Sequence, residues 1–131
     1  MFSFIKKNAV YFALSWTAVI FGLCCIPGRY IPTTTWLELI SFDKFVHASI
    51  FFVLQTLWML ALNHKSASMR YIILASCVAY GGSLEIMQAT VFSQRSADWF
   101  DFIANSFGCV MAILFFRKIN AKFFHDPVAK V

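Results

Sequence analysis

The sequence predicts an all-α integral membrane bundle of four transmembrane helices, and three observations predict it. The first is composition. Of the side chains, 60% are hydrophobic, 18% aromatic and only 13% charged, where a soluble domain carries about 25% charged residues. Sixteen Phe and four Trp exceed what one small globule can hide from water. The second is the length of the apolar runs. Ala9–Ile26, Phe45–Leu62, Tyr71–Phe92 and Asp98–Phe116 each approach the roughly 20 residues that cross a bilayer core. With no water to satisfy open backbone groups there, these runs should be helices. The third is where the charge sits. Lys6, Lys7, Lys65, Arg70, Arg117, Lys118, Lys122 and Lys130 fall at the N-terminus, the second loop and the tail. Only Arg29, Lys44 and Arg95 fall near the first and third loops. The positive-inside rule then puts both termini in the cytoplasm.

The 131 residues suit a single domain, 1–131, with no linker, repeat or low-complexity tract. The net charge of +5 follows the topology and forms no one basic face, so a nucleic-acid partner is excluded. The expected location is a membrane, as a multi-pass protein with both termini in the cytoplasm.

The first run follows two lysines, as a signal peptide would. It is longer than an h-region of about 7–15 residues, and no small-x-small cleavage pattern follows, so it reads as a retained helix. Pro27-Gly28 stops it, and Pro32 prevents its resumption. "TTTWLELISF" then offers a capping threonine and the apolar set Trp36, Leu39, Ile40 and Phe42. A short helix lying in the outer interface fits that pattern. The next two connections, "NHKSASM" and the stretch around "SQRSA", are short and imply antiparallel neighbours. From Arg117 onward the tail, 117–131, is basic, broken at Pro127 and expected to fray in the cytoplasm. His64 and His125 read as solvated. Cys24, Cys25, Cys77 and Cys109 lie within apolar spans without metal spacing and read as small hydrophobes.

Polar residues are the exception in such a chain, and they are patterned. Asp98, Asp101, Asn105 and Gly108 follow helical steps of three and four and share one face of the last helix. Gly81, Glu85 and Gln88 do the same on the third helix, and Lys44 and His47 on the second. Ionisable residues within a membrane rarely face lipid, so the three faces should meet. A turn centred near Gln94–Arg95 sets residue i opposite roughly 189 minus i, with about 4.5 Å between residues three apart. Three tiers result: Lys44, Arg95 and Asp98 at the rim; His47, Gln88 and Asp101 below; Glu85 and Asn105 deepest. All point to the outer leaflet, and the cytoplasmic halves of the same helices look bland.

Helix-to-helix adhesion alone explains such a set poorly. Hydrogen bonds in membranes average ~0.6 kcal/mol, whereas a charge costs ~2.5–3.5 kcal/mol at a helix centre. One or two polar residues would suffice to hold helices together, not eight.

Asp43-Lys44-x-x-His47, then Glu85-x-x-Gln88, then Arg95-x-x-Asp98-x-x-Asp101-x-x-x-Asn105-x-x-Gly108 resembles the VanZ-like family of small bacterial membrane proteins. Ile26-Pro27-Gly28 and the proline after it are similar to that family's first loop, and the resemblance covers about residues 20 to 116. It implies a membrane location and the same polar site. The founding member is associated with glycopeptide-antibiotic resistance, particularly to teicoplanin, so an influence on glycopeptide susceptibility is an added expectation. No reaction is implied.

Three functions stay open at this point. An outward-facing pocket could bind a membrane lipid or a lipid-linked envelope precursor, or a glycopeptide. Lys44, Arg95, Gln88, Asp98 and Asn105 would then hold the headgroup, the two cations suiting a phosphate. A membrane-embedded hydrolase or transferase would use His47, Glu85 and Asp101 for acid–base work, although neither Ser93 nor Ser96 sits in a nucleophile motif. A purely structural polar network is the third. His47, Glu85, Asp98 and Asp101 could chemically hold a hard cation, but without a paired-His motif neither metal nor cofactor is expected.

Overall fold

The computed structural model describes residues 1–27, 36–62, 66–92 and 97–124, with the side chains of 36–41 set aside. Every regular element among them is helical: α1 Phe2–Lys7, α2 Ala9–Cys24, α3 Trp36–Ala61, α4 Ala67–Thr90 and α5 Trp99–Ile119, followed by a π turn Asn120–Phe124. Asn8 separates α1 from α2 with φ −109° and ψ 20°, and its side-chain amide donates back to the Phe4 carbonyl at 2.9 Å.

Three stretches are long and apolar enough to cross a membrane: Phe42–Ala61, Ala67–Thr90 and Trp99–Phe124. The apolar α2, at 16 residues, is shorter than the sequence led us to expect, because the backbone leaves the helix before Pro27. The separate interfacial helix does not form. Trp36 to Phe42 are the opening turns of α3, since no glycine or proline stands between Trp36 and Ala61 to break it. The threonines expected to cap it lie outside the described residues.

The tail also departs from expectation, remaining helical to Phe124 where fraying was foreseen at Arg117. Aromatic packing accounts for the difference. The Phe2 ring meets Phe123 and Phe124 at 5.1 and 5.8 Å, tying the π turn to α1. His125 and the rest of the tail lie beyond the described residues.

The interior is small and the outside is oily. Ala13, Met59, Cys109 and Ala112 are fully buried, whereas Trp99, Phe100, Tyr71 and Phe45 are each about 70% exposed. Large apolar side chains turned outward over a thin core match a lipid surround. α3 and α5 form the closest pair. The approach is set by Gly108, where any Cβ would run into the Ala48 carbonyl.

α2 packs chiefly on α3 and is pinned by polar atoms. Trp16 Nε1 donates to the Ile50 carbonyl at 3.1 Å, Trp58 Nε1 to Thr17 Oγ1 at 3.3 Å, and Tyr80 Oη to the Thr17 carbonyl at 2.8 Å. No cysteine forms a disulfide, and Cys77 and Cys109 are buried as expected of small hydrophobes.

Candidate functional site

Three helix ends build a polar cluster. Asp98 caps α5: its backbone is extended, and its carboxylate accepts the Phe100 N–H at 2.8 Å, satisfying one of the orphan donors of a helix start. Asp101 and Asn105 follow one and two turns down the same face. Into that face α3 projects Asp43, Lys44 and His47, and α4 projects Glu85.

Lys44 is the hub. Its ammonium donates to Asp98 at 2.6 Å and also to Asp101, and lies 3.4 Å from Asp43. His47 Nδ1 meets Asn105 Oδ1 at 3.0 Å. With that oxygen accepting, Nδ1 carries the hydrogen. The opposite nitrogen, Nε2, stands 3.7 Å from both Asp43 and Asp101, so two carboxylates flank the imidazole. Glu85, only 6% exposed, accepts the Asp98 N–H at 3.1 Å.

Asp98 lies ahead of the membrane-spanning stretch. The Lys44 ammonium bonded to it holds its carboxyl below the usual carboxylate range, against an opposing push from burial. A lowered folded-state value stabilises the fold at pH above the unfolded value of about 4, and that contribution is lost as pH falls through the lowered value. Acidifying detergent-solubilised protein from pH 6 to pH 3 should therefore erase part of the melting-temperature difference between wild type and Asp98→Asn. A difference that stays constant across that range would show that the Lys44 contact does not depend on the Asp98 charge.

The cluster opens onto a cavity of about 310 Å³, within the usual range of roughly 300–1,000 Å³ for small-molecule sites. Asp43, His47, Glu85 and Asn105 line one part of it. Ile20, Leu23, Cys24 and Ile26 at the end of α2 line another. It is half well, half greasy wall.

Depth differs from the sequence-based register. A Cβ on Gly81 would face Asn105 at 3.5 Å, and one on Gly82 would face Phe102 at 3.3 Å. The α4–α5 pairing is thus displaced by about one turn from the estimate. Glu85 consequently reaches up to the Asp98 backbone and does not form a deepest tier with Asn105.

Of the candidate residues, Lys44, His47, Glu85, Asp98, Asp101 and Asn105 are linked by these contacts. Gln88 is 3% exposed on α4; among the described residues its Nε2 has no partner, and it does not line the cavity. Arg95 lies outside the described residues. Lys44 is no free headgroup cation, since aspartates hold it.

Two residues escaped the sequence reading as candidates. Asp43 belongs to the cluster; its position one turn before His47 was the available signal. Gln55 is fully buried in α3, and neither its side-chain oxygen nor its nitrogen has a partner among the described residues. With Thr17, Trp58 and Tyr80 it shows that the halves of the helices remote from the cluster, expected to be bland, are not. One ligand atom each from Asp43, His47 and Asp101 falls within 4.8 Å of the others, a donor set a hard cation can use. The Lys44 ammonium already neutralises the same aspartates, so a divalent ion would have to displace it.

An apolar helical bundle with three helices able to cross a membrane, and with one polar end opening into a half-greasy cavity, defines a small helical membrane protein. The family model described as VanZ/LLP1 matches residues 2–123. The chain belongs to the VanZ/LLP1 family. No curated protein and no solved structure matches it.

Proposed function

We propose that this chain is a four-span protein of the bacterial cytoplasmic membrane, both termini inside, whose outward-facing pocket binds a lipid or lipid-linked component of the cell envelope. The observation that carries this reading is the cavity itself. One wall offers ionisable and amide groups and another offers bare aliphatic side chains, the division an amphiphile presents in reverse. An effect on glycopeptide susceptibility would follow if that component is part of the envelope such antibiotics meet. Mass spectrometry of envelope lipids from cells with the protein, without it and with His47→Ala tests the reading. The expected result is a lipid difference lost in the variant, and identical lipid profiles in all three would count against it.

The topology is tested separately. Cysteines placed singly at Arg29 and Lys65 in a cysteine-free background should be labelled by an impermeant reagent from outside at Arg29 only. Labelling of Lys65 from outside would overturn the orientation.

His47, held by Asn105 and flanked by two carboxylates, favours a second reading, acid–base catalysis on the same component. Glu85→Gln separates either functional reading from mere scaffolding. Gln keeps the acceptor for the Asp98 N–H and removes only the charge, so the melting temperature should stay within about 2 °C of wild type or rise. The lipid or susceptibility phenotype should vanish. A large fall in melting temperature would make Glu85 structural.

A further inference from the structure

Charge at the polar end of the bundle is unbalanced. Four of the six acidic residues of the whole chain, Asp43, Glu85, Asp98 and Asp101, gather there. Among the described residues Lys44 is the one lysine or arginine at that end; Lys6, Lys7, Arg70, Arg117, Lys118 and Lys122 all belong to the other. Lys44 spends its charge chiefly on Asp98 and Asp101. Of the two acids that line the cavity, Asp43 meets the ammonium only at 3.4 Å. The nearly buried Glu85 carboxylate is met by a neutral backbone N–H. Among the described residues, no lysine or arginine lines the cavity.

A negatively charged headgroup would enter such a well against carboxylates, with no lysine or arginine among the described lining residues to receive it, and like charges brought together cost several kcal/mol. A positively charged headgroup meets two acceptors whose charge is incompletely matched, in a low-dielectric surround that strengthens the attraction. The Asn105 amide and the His47 imidazole supply further polar surface. The aliphatic wall of Ile20, Leu23 and Ile26 gives an alkyl chain somewhere to lie.

We propose that the ligand of this pocket is a cationic amphiphile, with an ammonium headgroup placed between Asp43 and Glu85 and its alkyl chain against the end of α2. The inference rests on the amphiphile reading above and narrows it to one sign of charge.

The test uses the full-length protein in neutral maltoside micelles and three probes of equal chain length: dodecylamine, dodecanol and dodecyl phosphate. Calorimetric titration should show dodecylamine binding at least about tenfold tighter than dodecyl phosphate, with dodecanol between them. Asp43→Asn and Glu85→Gln should each weaken the amine by about tenfold while leaving dodecanol unchanged. Leu23→Trp, which fills the apolar wall from the lipid side and leaves the polar cluster intact, should weaken all three and serves if a charge variant fails to fold. Dodecyl phosphate binding as tightly as the amine would overturn the charge assignment and leave the amphiphile reading standing. Failure of all three probes to bind, or binding indifferent to Leu23→Trp, would overturn both.

Discussion

Replacing Gly108 with alanine should destabilise the bundle more than any other single methyl group added to it. The new Cβ would strike the Ala48 carbonyl and crowd the Ala48 carbonyl carbon at 2.8 Å and Cα at 3.0 Å. These are backbone atoms of α3, so no rotamer change relieves the clash; the two helices have to move apart. Around them Cys109 and Ala112 are fully buried and would lose contact together. A cost near 3 kcal/mol, the upper end of ordinary overpacking, is expected. It should lower the melting temperature by roughly 10 °C in a chain of this size. Gly82→Ala is the control. There the added methyl meets only the edge of the Phe102 ring at 3.3 Å, a side chain that can yield, and the change should be under about 1 kcal/mol. Equal melting temperatures for the two variants would mean that close α3–α5 approach is not what Gly108 secures.

The second large effect concerns Lys44. Lys44→Met keeps the aliphatic stem and deletes the ammonium, leaving Asp98 and Asp101 facing each other with Asp43 nearby. Removing one partner of a fully buried pair costs about 3–5 kcal/mol. Here Asp98 is 43% exposed and Asp101 15%, so solvent screens part of the loss and roughly 1–3 kcal/mol is expected. Adding Asp101→Asn should recover a substantial part of it, because the second change removes the stranded charge. The double-mutant cycle should give a coupling within the range of about 0.5–3 kcal/mol found for contacting residues. A double variant no more stable than Lys44→Met would show that the ion pair with Asp101 contributes little.

Much of this cluster is legible in helical spacing. Asp98, Asp101 and Asn105 share a face because a helix makes it so, and Lys44 and His47 reach that face from α3 one turn apart. What spacing does not reveal is pairing. A lysine beside a hydrophobic run looks like a rim cation available to a phosphate until the coordinates show aspartates around it. Asp43 stands beside Lys44 in sequence, but its relation to His47, four residues on, places it in the cluster. Gln55 is invisible for another reason. One amide inside an apolar run of α3 leaves the periodicity intact, and only burial reveals that its hydrogen-bonding capacity is unspent. The depth estimate failed because the sequence fixes the register of two packed helices only to within a turn. Helix boundaries moved where a neighbour held the chain, as Phe2 does for Phe123 and Phe124.

The brevity of α2 has a consequence for the lipid around it. Sixteen residues rise about 24 Å, against an average hydrocarbon thickness of about 30 Å. Trp16, Trp58 and Tyr80 pin the helix to its neighbours, so it cannot slide to share the deficit between leaflets. If α2 crosses the bilayer as proposed, the membrane would adjust instead, by a dimple several ångströms deep beside this helix, at a cost of fractions of a kcal/mol per ångström of mismatch. The C-terminal end of α2 is the greasy wall of the cavity. A headgroup in the thinned leaflet would already sit closer to the height of Glu85 and His47, and a lipid could tip sideways into the pocket without first being lifted out of the bilayer.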